Sequence, residues 1–198
     1  MILLTGVDVG AQEIIQSKLN AAGFRYSVNS AVPVIDYQQN IHMLSAVNDR
    51  PSVKVYGNGR VVVHYPVYMK KSGDYEMQLS KKELVAMIRS MSNEGLMDFD
   101  EKKAKASCRL VANNAKAKGQ YSAVSDVLET VVDIKLDEYQ KNVLSKKITG
   151  FSKRFKWDNL EQDVVRFNNV RELVQVNRFV SYLNDMMSDT RLVKKVPR

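Results

Sequence analysis

The stretch SVKVYGNGRVVVHYPVYM, residues 52 to 69, decides the fold. Val53, Val55 and the run Arg60 to Val63 set β-branched side chains on either side of Asn58-Gly59. Asn-Gly is the strongest short-range hairpin signal, because a type I′ turn needs positive φ at both central residues. Pro66 cannot donate to a ladder, so it ends the second strand or holds it at an edge. A further turn at Ser72-Gly73-Asp74 returns the chain as a third strand, Tyr75 to Leu79. The expected unit is an antiparallel meander.

Downstream, Ser80 and Glu83 have the spacing of a capping box, in which each side chain satisfies a free backbone N–H of the other. Leu84, Met87, Ile88 and Met91 follow at helical spacing, and Gly95 stands where a left-handed cap is expected, which predicts a helix over 81–94. Asp100 caps a second helix over 101–117 with an apolar stripe of Ala104, Cys108, Val111 and Ala115. Lys102, Lys105, Arg109 and Lys116 gather on a different face, so Cys108 is expected to point inward. Residues 127–136 alternate, with Leu128, Thr130, Val132, Ile134 and Leu136 on one side and Glu129, Asp133 and Lys135 on the other, as in a half-buried strand. A second strand is expected near 141–149, closed by Gly150. Asp158 with Glu161, and Asn169 with Glu172, are read as capping pairs for two helices, the longer carrying Leu173, Val176, Val180, Leu183 and Met187 in a stripe. The tail RLVKKVPR is expected to fray.

Upstream, MILLTGVDVG reads as a strand over 2–7. Residues 10–22 carry Ile15, Leu19 and Ala22 at helical spacing before Gly23. Strands are expected over 24–29 and 33–37, and a polar loop over 38–51. The fold class is therefore α+β: an antiparallel sheet packed by amphipathic helices. Residues 1–150 are expected to form the main domain, and 151–198 a helical C-terminal segment lying on it or on a partner subunit.

From Val53 to Asp100 the chain resembles bacterial domains of unknown function built as a hairpin, a further strand and a helix opening with Leu-Ser-x-x-Glu-Leu. The matching residues are Gly57, Asn58, Gly59, Arg60, Leu79, Ser80, Glu83, Leu84, Gly95, Phe99 and Asp100. The resemblance covers about a quarter of the chain and its motifs are structural. It implies a bacterial origin and a scaffold, and transfers no catalytic residue.

No apolar run reaches the roughly 20 residues that span a bilayer, so no integral membrane association is expected. A single cysteine leaves no internal disulfide. With no basic leader before the first strand the expected compartment is the cytoplasm, and export would need a signal upstream of Met1. The formal charge is +8. Residues 1–100 are balanced, so the whole excess lies in the second half.

Candidate chemistry is sparse. His42 and His64 have no ligand at metal-binding spacing, and Cys108 has an apolar stripe and no neighbouring histidine. Gly57-Asn58-Gly59 leads into a strand and lacks the Lys-Ser/Thr ending of a phosphate loop. Asp98/Asp100 and Asp137/Glu138 are better explained as caps and turns than as acid-base pairs. No catalytic residue, metal or cofactor is assigned.

Three functions follow. The first is a non-enzymatic binding or protein-interaction module whose last helix lays its stripe on the chain's own core or on a second subunit. The second is a nucleic-acid-binding protein. Six basic residues and no acid stand in 102–118, and six again in 141–156. Lys102, Lys105, Arg109, Lys116, Lys147, Lys153, Arg154 and Lys156 would track phosphates, and Phe155 and Trp157 would stack on bases. The third is a pocket protein or enzyme on a cystatin-like cone, with Tyr56, His64 and Tyr65 lining the pocket.

Overall fold

The computed structural model describes residues 23–29, 31–41, 49–119 and 127–195. The strand expected over 2–7 and the helix over 10–22 lie outside these residues. The fold is α+β, as expected: one antiparallel sheet with helices on one of its faces. Its strands are β1 (Gly23–Arg25), β2 (Ile35–Ile41), β3 (Ser52–Val55), β4 (Arg60–Tyr65), β5 (Gly73–Gln78), β6 (Leu128–Gln140), β7 (Ile148–Asp158) and β8 (Val193–Lys194). The helices are α1 (Lys81–Asn93), α2 (Glu101–Ala117), α3 (Leu160–Arg166) and α4 (Arg171–Met186), with a 3-10 turn at Leu96–Asp98.

The strand order is β7-β6-β2-β3-β4-β5-β8, every neighbour antiparallel. β1 lies on the same edge of β6 as β2, beside the residues β2 does not reach, with Phe24 opposite Tyr139. Register gives the two faces opposite characters. Phe155, Val132, Tyr37, Val53, Val63 and Tyr75 form one continuous cross-strand row, and all but Tyr75 are buried. The adjacent row, Lys156, Val131, Gln38, Ser52, His64 and Asp74, lies on the opposite, polar face, because side chains alternate along a strand.

The helices cover the apolar face. Leu84, Met87, Ile88 and Met91 of α1, Ala104 and Cys108 of α2, and Leu173, Val176, Phe179, Val180, Leu183 and Met186 of α4 belong to one buried cluster with the sheet. Specific bonds fix this layer. Tyr37 donates its hydroxyl to Asn184 Oδ1 at 2.6 Å, and Tyr65 donates to the carbonyl of Met187.

The hairpin turns by a different route from a type I′ pair. Tyr56 N–H donates to Arg60 O, and Gly59 N–H to Tyr56 O, each at 2.9 Å, which closes a three-residue loop. Of the loop residues only Gly59 has positive φ, 85°. Asn58 does not take a positive φ, and its Oδ1 accepts the Arg60 N–H at 3.0 Å. This is the loop in which a left-handed glycine follows a tight turn. Gly57 also needs its missing side chain, since a Cβ there would lie 2.1 Å from the Ser27 carbonyl. The loop is tied forward, because Gly59 O accepts the Leu79 N–H at 2.9 Å just before the Ser80–Glu83 capping box that opens α1.

Several boundaries differ from expectation. Residues 38–41 continue β2 instead of opening a loop. The expected strand near 141–149 is a turn as far as Lys147, and β7 begins at Ile148, running through Gly150, whose φ is 63°. The helical C-terminal segment therefore begins at Leu160 and not at 151. Asn159, itself left-handed, precedes α3 in place of the Asp158 cap, and Val170 precedes α4 in place of Asn169; neither makes a side-chain cap bond. Both helices are held by burial. Val193 and Lys194 of the supposedly frayed tail pair with β5. The α4 stripe is covered by the chain's own core, so it is not left over for a second copy.

Candidate functional site

Both basic segments meet at the outer margin of the sheet, where α2 lies against β7. In β7, Phe151, Phe155 and Trp157 turn to the core and are 8%, 1% and 2% exposed. Phe155 and Trp157 therefore have no free face on which a base could stack, which removes the aromatic half of the nucleic-acid expectation. Phe99 packs on both rings, at 5.4 and 6.3 Å between centroids.

The cations are split among surfaces. Arg154 pairs with Asp133 at 3.2 Å and Lys156 with Glu129 at 3.0 Å, both on the polar face of the sheet. Lys147 pairs with Glu138 at 3.1 Å. Lys105 pairs with Glu101 at 2.7 Å and lies over the Trp157 ring. Lys102, Arg109 and Lys116 are exposed along α2, and Lys153 is half-buried. In each β7 pair the cation is the outer member: Arg154 is 58% exposed against 22% for Asp133, and Lys156 47% against 14% for Glu129. The margin thus presents positive charge to solvent although its formal charges are partly matched.

β7 is an edge strand. On its inner side it pairs with β6, and among the described residues no strand lies on its outer side. Lys156 N–H points outward, since it donates to Glu101 Oε2 at 3.0 Å. Antiparallel alternation then turns the backbone groups of Ser152 and Arg154 outward as well. Glu101, which sequence reasoning missed, covers the ladder's end. Partial burial works against its charge, but Lys105 and the Lys156 N–H hold its pKa below the ordinary value.

Beside this end of β7, α2 and α3 border an open hollow of about 260 Å³ lined by Lys105, Cys108, Arg109, Ala112, Trp157, Asp158, Asp163 and Phe167. Asp163 Oδ2 accepts the Trp157 indole N–H at 2.9 Å. Burial raises the Asp163 pKa against the pull of that bond. The Cys108 thiol is pushed up by burial and then by the Asp163 charge, so it stays protonated and inert at neutral pH.

The three pocket residues do not converge. Tyr65 is buried on the helical face, its hydroxyl engaged by Met187 and by Lys71 Nζ at 3.2 Å. Tyr56 sits under the Arg60 guanidinium at the hairpin end, 4.3 Å from ring centroid to Cζ. His64 lies on the polar face with Nδ1 2.6 Å from Asp74 and Nε2 2.5 Å from Asp49. With a carboxylate on each nitrogen it has no free lone pair for base catalysis. The two carboxylates approach opposite sides of the ring, so they cannot share one ion with it. Among the described residues no group of three or more His, Cys, Asp or Glu is arranged to hold a metal, and no helix is long and apolar enough to cross a membrane. No protein-family model, curated protein or solved structure matches the chain.

Proposed function

We propose that the protein is a non-enzymatic interaction module that accepts an acidic, extended segment of another protein as an added strand along β7. Support comes from one feature: an 11-residue edge strand with outward backbone groups at Ser152 and Arg154 under an outer layer of cations. Strand addition draws affinity from main-chain hydrogen bonds, and flanking charge selects the partner. A second copy of the same edge is disfavoured, because pairing would set Arg154 and Lys156 against like charges. Acidic side chains suit that edge better.

The test is fluorescence anisotropy of a labelled peptide alternating Glu and Val, at low and high salt, with a single-stranded oligonucleotide in a parallel titration. Binding at micromolar protein that weakens with salt and is lost in Ser152→Pro supports the module, since proline removes the outward donor and leaves every charge in place. Full affinity in Ser152→Pro, or tighter binding of the oligonucleotide, overturns it.

A further inference from the structure

The tip of the β6–β7 hairpin is built in a way that its own stability does not explain. Pairing of β1 ends where Gly23 meets Gln140, and pairing of β7 where Ile148 meets Tyr139, so residues 141–147 project past both. The corner is the β-turn Asn142–Ser145, closed by the Ser145 N–H on Asn142 O at 3.1 Å. Asn142 Oδ1 accepts the Leu144 N–H at 3.0 Å and the Ser145 hydroxyl at 2.7 Å, while Gln140 donates to Ser145 O at 2.9 Å. Polar side chains thus fold the turn, and its two central positions hold Val143 and Leu144, 51% and 90% exposed. Turns are ordinarily made of Gly, Pro, Asn, Asp and Ser, and an aliphatic side chain held in solvent gains nothing from the core. Ile148, 48% exposed, stands at the foot of the tip.

Cations flank these side chains. Lys141, Lys146 and Lys147 are exposed, and no Asp or Glu occurs from Tyr139 to Trp157. Glu138 accepts both Arg25 at 2.8 Å and Lys147 at 3.1 Å, and Asp98 accepts Lys141 at 2.8 Å. Both carboxylates lie inside their cations: Glu138 is 23% exposed against 66% for Arg25 and 58% for Lys147, and Asp98 46% against 60% for Lys141. Exposed Asp137, one residue farther from the tip than Glu138, does not cancel the positive surplus.

We propose that this tip docks the protein on an anionic lipid bilayer, with Val143 and Leu144 entering the acyl boundary and Lys141, Lys146 and Lys147 on the headgroup phosphates. Charge and shape together name the occupant. An aliphatic knob offers no ring on which a base can stack. Flanked by lysines, it matches the layering of a bilayer, which is anionic at its surface and apolar just beneath. Neither signal anchors alone, because a short apolar insertion is marginal and reversible without a basic patch beside it. The surface is independent of strand addition, for it uses neither Ser152 nor Arg154.

Sedimentation with vesicles tests this, using phosphatidylcholine alone and an equal mixture of phosphatidylcholine and phosphatidylglycerol. The mixed vesicles are expected to carry the protein down and the plain ones to leave it in solution. Leu144 and Lys146 are exposed, so variants there keep the fold. Leu144→Ser should weaken partitioning about tenfold or more, by loss of a buried leucine. Lys146→Gln should weaken it about fivefold, by loss of one charge at the anionic surface. Leu144→Trp should retain binding, because an indole favours the headgroup boundary. No sedimentation with mixed vesicles, or equal sedimentation with both kinds, overturns the proposal. So does undiminished binding by Leu144→Ser, which would leave a surface that attracts any polyanion.

Discussion

His64 Nδ1 stands 2.6 Å from Asp74 Oδ1 while its other nitrogen faces Asp49, so one imidazole on β4 ties β5 to the chain that enters β3. Asp49 also accepts the Val67 N–H at 2.8 Å through its second oxygen. Only the doubly protonated ring can donate to both carboxylates. Partial burial pulls the His64 pKa down, but the bonds to Asp74 and Asp49 more than reverse this and leave it above its ordinary 6.5.

A group whose pKa is raised by folding stabilises the fold fully below its unfolded value and loses that contribution as pH rises through the folded one. His64→Gln should therefore lower stability clearly near pH 6 and much less near pH 9. Urea unfolding of both proteins at the two pH values measures this, and a difference that grows with pH would refute the bridge.

Gly59 holds φ of 85°, and a Cβ there would lie 2.3 Å from the Leu79 carbonyl. Gly59→Ala should cost about 1–3 kcal/mol through backbone strain alone, before the clash is counted. Denaturant midpoints at constant slope provide the measurement. An unchanged midpoint would mean that the loop can turn another way.

Ser80 Oγ accepts the Glu83 N–H, and Glu83 returns the bond to Ser80 N–H at 2.7 Å. These bonds, with Arg191, hold Glu83 at about 2. Its contribution is present above the ordinary carboxylate range and fades as pH falls toward 2. Ser80→Ala should cost about 0.5–2 kcal/mol at neutral pH and move the Glu83 titration upward, which carboxyl NMR can follow.

Leu183 is fully buried in α4. Leu183→Ala should destabilise by about 2–5 kcal/mol, seen as a lower melting temperature by circular dichroism. A variant of unchanged stability would show that the stripe is not held by the chain's own core.

The meander, α1, α2 and the alternating strand around Val132 were legible because each is written in local chemistry: β-branched runs, a capping box, an aspartate cap, a period of two. The extent of β7 was not. Lys153, Arg154 and Lys156 interrupt its apolar side chains, and Gly150 looks like an ending, so its pattern resembles a basic loop until β6 is beside it. Both C-terminal helices begin without the caps their Asp158 and Asn169 suggest, because packing of Leu160 and Leu173 outweighs a cap bond. The site was legible only in its cations. Which of them would be outermost depended on Asp133 and Glu129, residues that register alone brings opposite β7. Asp49 and Asp74 came to His64 in the same way, with no spacing signal to announce them.

The position of β6 also governs the order in which the molecule can be made. β1 and β2 emerge early, yet both pair with β6: Gly23 meets Gln140 and Ile35 meets Ile134. Until that strand leaves the ribosome, β3 is the only described strand against which β2 can close. Such distant pairing slows folding and lengthens the time an unpaired edge is exposed to aggregation. A chain cut before Leu128 would keep the meander and lose the strand that joins the rest to it.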